Sequence, residues 1–166
     1  MPASDQGVNL ERYMIIPRSL IFITCRNKIL LLKGDKDKRL WAGLYNGIGG
    51  HVEQGEDIKS SAQRELFEET GINTCDLWLC GLHIINTGIN PGVGLFIFKG
   101  EIEEFIQNES NEGKLRWFDK SEIQNLPLVS DLQVLLPKIL NAMKGDLLFF
   151  VYSEYNEADD LIVTIK

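Results

Sequence analysis

Glu65, Glu68 and Glu69 stand three and four residues apart in the run RELFEETGI. On a helix that spacing puts three carboxylates on one face. Like charges so close repel one another and weaken an isolated helix, so something positive belongs over them. Carboxylate oxygens are hard donors, suited to Mg²⁺ or Mn²⁺ and unsuited to zinc, which prefers His and Cys. Magnesium keeps several waters and binds through one or two carboxylates plus substrate phosphates, so a few glutamates with room for a pyrophosphate make chemical sense. A cation held there neutralises phosphate charge, polarises phosphorus and lowers the pKa of a bound water. For three glutamates alone, a solvated acidic helix face is the competing reading.

The surrounding spacing decides between the two. From Asp57 to Thr70 nothing breaks a helix, and Gly71 is placed to end one. Ile58, Ala62 and Leu66 recur every four residues and supply its buried stripe. Upstream, Gly49-Gly50 lets the backbone pass where a side chain would collide with a bound ion. The stretch from Gly50 to Ile72, GHVEQGEDIKSSAQRELFEETGI, fits G-x5-E-x7-R-E-U-x-E-E-x-G-U at every position, U being a bulky aliphatic residue. A chance match in a chain of this length is on the order of one in ten million from average residue usage.

This segment resembles the signature of the Nudix hydrolases. The resemblance implies an α+β fold, an α/β/α sandwich around a mixed β-sheet, with the segment forming a loop–helix–loop. It implies that the carbonyl of Gly49 is a metal ligand and that Glu65, Glu68 and Glu69 bind metal and activate water. Arg64 joins that catalytic set, pairing with Glu56 to hold the loop against the helix. Gly50, Glu56 and Gly71 then have structural roles. Many relatives need one more carboxylate outside the segment, and Glu112, five residues before Trp117, is the candidate. Glu109 lies in the same loop, so an ordinary acidic loop is the alternative reading of Glu112.

The rest of the chain bounds what these residues serve. At 166 residues it is long enough for one domain with its own core, with residues 1–11 polar and expected to fray. A net charge of −7 argues against a protein that coats a nucleic-acid polymer, since phosphate backbones call for a basic surface. It leaves open a small phosphorylated ligand that arrives with a divalent cation. No apolar run approaches a membrane span. The start, MPASDQGVNLERY, lacks the charged-then-apolar plan of a secretory leader. Cys25, Cys75 and Cys80 have no metal-binding spacing and read as reduced thiols of a cytoplasmic protein.

Strands are expected at 18–24 and 29–33, a short one at 44–48, and a long hairpin over 77–87 and 93–101. A further strand is expected at 114–118 and a last hairpin at 147–152 and 161–165. Ser121 is expected to cap a short helical turn, and Ser130 or Asp131 a helix over 132–143 whose apolar face runs from Leu132 to Met143. Strands and helices in this order, with no regular βα alternation, favour α+β.

Substrate identity rests on other residues. LYNGIGGHVEQGE is similar to the matching run of the animal oxidised-purine nucleoside triphosphatases, in which an asparagine reads the purine edge. Asn46 stands at that place, and its amide offers both a donor and an acceptor. VSDLQVLLPKIL resembles the paired-aspartate segment of the same enzymes. It puts Asp131 near the base, with Ser130 where the second aspartate would stand and Leu128 roughly where they have a tryptophan. A helix cap remains the alternative for Asp131. Ser19 and Lys33 are candidates to face the nucleotide, and equally ordinary sheet residues. His51 and His83 read as ordinary polar residues. The proline that marks ADP-ribose pyrophosphatases and the tyrosine that marks dinucleoside polyphosphate hydrolases are not at their usual offset, where Ile85-Asn86-Thr87-Gly88 stands. The expected activity is therefore Mg²⁺-dependent cleavage of a nucleoside triphosphate, with 8-oxo-dGTP as the leading substrate. The rivals are another nucleoside diphosphate derivative, such as ADP-ribose or a sugar nucleotide, and a non-catalytic nucleotide sensor.

Overall fold

In β1 (Ile15–Cys25) the residues Leu20 to Ile23 are all buried, and they divide by alternation. Leu20 and Phe22 enter one core, Ile21 and Ile23 another. A strand that is apolar on both faces needs cover on both. The computed structural model, which describes residues 2–35, 41–73, 75–106 and 113–166, supplies a helix for each side. Helix α1 (Ile58–Thr70) lays Ala62 and Leu66 on Ile21, Ile23, Leu30 and Ile48, with Ile58 half-buried beside them. Helix α2 (Leu132–Asn141) lays Leu132, Leu135, Leu136 and Ile139 on Leu20, Phe22, Ile97 and Phe149.

Between the helices lie β1, β2 (Lys28–Gly34), β3 (Tyr45–Asn46), β4 (Trp78–Asn86), β5 (Gly92–Glu101), β6 (Gly113–Asp119), β7 (Phe149–Tyr155) and β8 (Leu161–Ile165). The order is β3-β2-β1-β5-β4-β7-β8, with β6 on β2. The pairs β1–β5 and β4–β7 are parallel and the others antiparallel, so the sheet is mixed. This is the α/β/α sandwich that the resemblance implies.

One departure from regular pairing positions the site. β6 follows β2 along one edge throughout, while on the other edge β2 pairs with β1 only from Ile23↔Leu30 to Cys25↔Lys28 and then with β3. The remaining edge of β1 is taken by the segment after β3, through the bridges Ile21↔Ile48 and Arg18↔His51. That is why the short strand stops at Asn46 instead of continuing to Ile48: the chain leaves β2 at Gly47 to cross to β1.

Three other boundaries differ from expectation. The helical turn Ile123–Asn125 begins after Glu122, and Ser121 does not cap it. α2 ends at Asn141, because Lys99 is buried beneath and its Nζ donates to the carbonyls of Leu140 and Ala142 at 3.0 and 2.8 Å. A tertiary partner thus takes over the last turn, and Met143 is exposed. The final hairpin opens at Phe149, with Leu147 in solvent.

Candidate active site

Asp57 starts α1: its carboxylate accepts from the backbone N–H groups of Lys59 and Ser60 at 2.9 and 3.0 Å. Gly71 ends it, with φ at 76° and its N–H bonded to the Phe67 carbonyl. These two caps fix which turns of the helix face the loop ahead of it.

That loop is pinned along β1, as the Ser19 N–H donates to the Gly50 carbonyl (2.9 Å) and the Val52 N–H to that of Pro17 (3.1 Å). The two glycines are needed for different reasons. Gly49 has φ at 150°, and a Cβ there would lie 2.1 Å from the Ser19 carbonyl oxygen. A Cβ on Gly50 would lie 2.5 Å from Glu65 Oε1. The loop backbone therefore rests directly against the first glutamate of the helix face.

Arg64 ties the loop to that face. Its Nε and Nη2 donate to the two oxygens of Glu56 at 2.7 and 3.0 Å. Nη1 donates to Glu65 Oε1 at 2.7 Å and to Glu68 Oε2 at 3.1 Å, and Nη2 also reaches the His51 carbonyl at 3.1 Å. The planar, delocalised fork is what lets one cation serve five acceptor oxygens on four residues. The guanidinium, followed by the Glu53 N–H, pulls the Glu56 pKa down to about 2, while its carboxylate partners raise that of Arg64. The positive group over the repelling glutamates is thus built into the same helix.

The three carboxylates of the signature segment Gly50–Ile72 (the box) differ in exposure. Glu68 is open, with 55% of its side chain accessible; Glu65 is mostly covered at 14%; Glu69 is buried. In kind, the set fits a hard divalent cation: carboxylate oxygens beside a backbone passage where no Cβ is tolerated. In number it falls short of a cage, since among the described residues no three His, Cys, Asp or Glu side chains gather closely enough to enclose an ion. Magnesium bound through one or two carboxylates and substrate oxygens does not require a cage. Glu112 lies outside the described residues.

The proposed substrate contacts do not form one cluster. Ser19 is buried and shares the α1 face of β1 with Ile21 and Ile23. Lys33 lies on the opposite face, with Nζ 5.2 Å from the centroid of the Tyr45 ring, which belongs to the α2 core. Asn46 pairs with Leu32, and its Oδ1 accepts the Gly47 N–H at 2.8 Å. The segment 127–129 runs parallel to β3, through Tyr45 N–H to Pro127 O (2.8 Å) and Val129 N–H to Tyr45 O (3.1 Å). It delivers Asp131 to the start of α2. There Asp131 occupies the cap position with helical φ and ψ and makes no standard side-chain cap hydrogen bond, although the Leu132 N–H still acts on its carboxylate.

Its neighbour is His83, which the sequence did not single out. His83 is fully buried, its Nε2 lies 2.7 Å from Ser153 Oγ, and its Nδ1 faces Asp131 Oδ2 at 3.8 Å. Burial pushes the His83 pKa down to about 4 and that of Asp131 upward. The available signal was an ionisable residue inside the apolar run LCGLHIIN, but its partners lie far along the chain.

Comparison with known proteins agrees with this architecture. The NUDIX domain family model matches residues 15–139. The oxidized purine nucleoside triphosphate hydrolase of Danio rerio is 30% identical over 149 residues, covering 89% of this chain and 91% of that one. An uncharacterized Nudix hydrolase of Bacillus subtilis, YvcI, is 38% identical over 107 residues, covering 61% of this chain and 65% of its own. Among solved structures, a MutT protein from Bacillus halodurans superposes with a TM-score of 0.76 at 25% identity, covering 91% of this chain and 97% of its own. The chain belongs to the Nudix family and is a Nudix hydrolase. No helix among the described residues is long and apolar enough to cross a membrane.

Proposed function

We propose that this enzyme is a Mg²⁺-dependent (or Mn²⁺-dependent) pyrophosphohydrolase of nucleoside triphosphates, acting on an oxidised purine such as 8-oxo-dGTP. The products are a nucleoside monophosphate and pyrophosphate. The observation that carries this reading is the Arg64 array, in which one guanidinium orders Glu56, Glu65 and Glu68 against a loop with no room for a side chain at Gly50. Likeness to the zebrafish enzyme along almost its whole length supports the substrate class.

In this reading Glu65, Glu68 and Glu69, with the Gly49 carbonyl, hold the cation, and Glu112, just ahead of β6 in sequence, adds a carboxylate. Bound there, Mg²⁺ would neutralise phosphate charge and lower the pKa of a water. Arg64 keeps Glu65 and Glu68 oriented before substrate arrives, so little reorganisation is left for the reaction. Lys33, Asn46, Ser19 and Asp131 bind the nucleotide. Ser130 and Leu128 depart from the animal pattern, which favours one rival: hydrolysis of another nucleoside diphosphate derivative. A sensor without catalysis fits poorly, because every box glutamate is present.

The test is turnover of a nucleotide panel with Mg²⁺, including 8-oxo-dGTP, dGTP, ATP, ADP-ribose and a sugar nucleotide, with products identified by chromatography. The expected result is fastest turnover of 8-oxo-dGTP, giving a monophosphate and pyrophosphate. Much faster turnover of ADP-ribose or the sugar nucleotide would replace the substrate assignment with its rival.

A further inference from the structure

His83, Ser153 and Asp131 place an imidazole between a hydroxyl and a carboxyl, an order also used for nucleophilic catalysis. Here that chemistry is closed off. Ser153 and His83 are both fully buried, so no scissile bond can reach the hydroxyl. The arrangement needs another explanation.

A buried histidine kept only for packing normally finds partners for both ring nitrogens. Nε2 has one in Ser153 Oγ at 2.7 Å, but Nδ1 is buried without a hydrogen bond and is aimed at Asp131 Oδ2, 3.8 Å away. Asp131 in turn makes no standard side-chain cap hydrogen bond, although the backbone N–H groups of Asp131 and Leu132 still act on its carboxylate. The two groups face each other across a gap slightly longer than a hydrogen bond. The strand register makes the contact possible: His83 lies beside Val151 on β7, two residues before Ser153, and Val151 belongs to the core under α2. The proton arrangement follows. When Ser153 donates its O–H to Nε2, the neutral ring carries its proton on Nδ1, facing the carboxylate. A small torsion of the Asp131 side chain then closes an N–H···O bond.

We propose that His83, locked by Ser153, is a positioning residue that holds the Asp131 carboxylate toward the nucleotide, acting on substrate binding through Asp131. This rests on the reading that Asp131 contacts the nucleotide, and the experiment separates the two. KM and kcat are measured for 8-oxo-dGTP, or for the best substrate of the panel, with thermal unfolding as a fold control. His83→Phe keeps a ring and removes the N–H. It is expected to raise KM about tenfold, the factor for one hydrogen bond of about 1.4 kcal/mol, with kcat within about twofold. His83→Asn keeps a donor close to the place of Nδ1 and is expected to hold KM within about threefold of wild type. Ser153→Ala leaves the ring in place but free to turn, and is expected to raise KM about threefold. It serves if the Phe variant does not fold. KM unchanged in His83→Phe, or in Ser153→Ala where that variant serves, overturns the proposal. If Asp131→Asn alone raises KM, Asp131 still contacts substrate without help from His83. If Asp131→Asn also leaves KM unchanged, the placement of Asp131 in the nucleotide site falls as well.

Discussion

Two charged constellations sit on opposite faces of one sheet and are built by opposite means. On the α1 face, Arg64 gathers Glu56, Glu65 and Glu68 within a stretch of thirteen consecutive positions, 56–68, partly open to solvent. On the α2 face, His83, Asp131 and Ser153 come from β4, the start of α2 and β7, and the two strand residues are fully buried. The first is rich in charge and satisfied by multiple hydrogen bonds. The second has one short bond and one gap. A local, solvated array tolerates repulsion because its cation is covalently close; a buried one can keep few charges and must hold them by strand register. In the proposed reading the first array handles phosphate charge and the second serves recognition of the base.

The sharpest break between the two faces comes from the box carboxylates. Glu69→Gln and Glu68→Gln are expected to lower kcat about 100-fold or more, with the fold intact by circular dichroism, as removal of a base or metal-binding carboxylate does. A rate within a few-fold of wild type for both variants would remove these residues from the chemistry. No substitution on the α2 face is expected to reach that size, because in the proposed reading its residues act on binding.

A smaller effect probes how tightly the loop is set against α1. In Gly50→Ala the new Cβ would lie 2.5 Å from Glu65 Oε1, and Arg64 already fixes that carboxylate from its other side. The obstacle is the end of a side chain, so the fold can yield while the geometry of Glu65 cannot. The expected result is a loss of about tenfold in kcat/KM and a higher Mg²⁺ requirement, with little change in Tm, as for small displacements of positioned groups. An equal loss of stability would mean that Gly50 serves the backbone rather than the site.

The same contrast explains what could be read from the sequence. The helix 58–70, its Asp57 and Gly71 caps and the box are local features, set by spacing within a few turns. The apolar run Leu20 to Ile23 also announced a strand, though not that both of its faces would be covered. Legibility ended where partners are distant. Nothing near Leu44 shows that the chain must leave β2 at Gly47 to close the edge of β1. Nothing near Asn141 shows that Lys99 will take the last carbonyls of α2. His83 looked ordinary because Ser153 is seventy positions away. Asp131 looked like a cap because local sequence cannot show that a carboxylate has a tertiary neighbour instead.

Acid should separate the two constellations by window rather than by size. Glu56 is depressed to about 2 from an ordinary value of 4.5, so its contribution is fully present above about pH 4.5 and fades as pH falls toward 2. His83 is depressed to about 4 from 6.5. Between those values the unfolded chain binds a proton that the folded chain refuses, so stability falls as pH drops from 6.5 toward 4. The limiting slope is one proton, about 1.4 kcal/mol per pH unit. Asp131, shifted upward, acts in the other sense: just above pH 3.8 the folded state keeps a proton that the unfolded state releases, which favours folding as pH falls. Denaturant unfolding from pH 7 to 3 should therefore show a decline beginning near pH 6.5 in the wild type. In His83→Asn that decline should be absent until the carboxylates titrate. In Glu56→Gln the decline near pH 6.5 should persist, and only the loss below pH 4.5 should shrink. A decline near pH 6.5 that survives in His83→Asn would leave the buried ring without a role in acid stability.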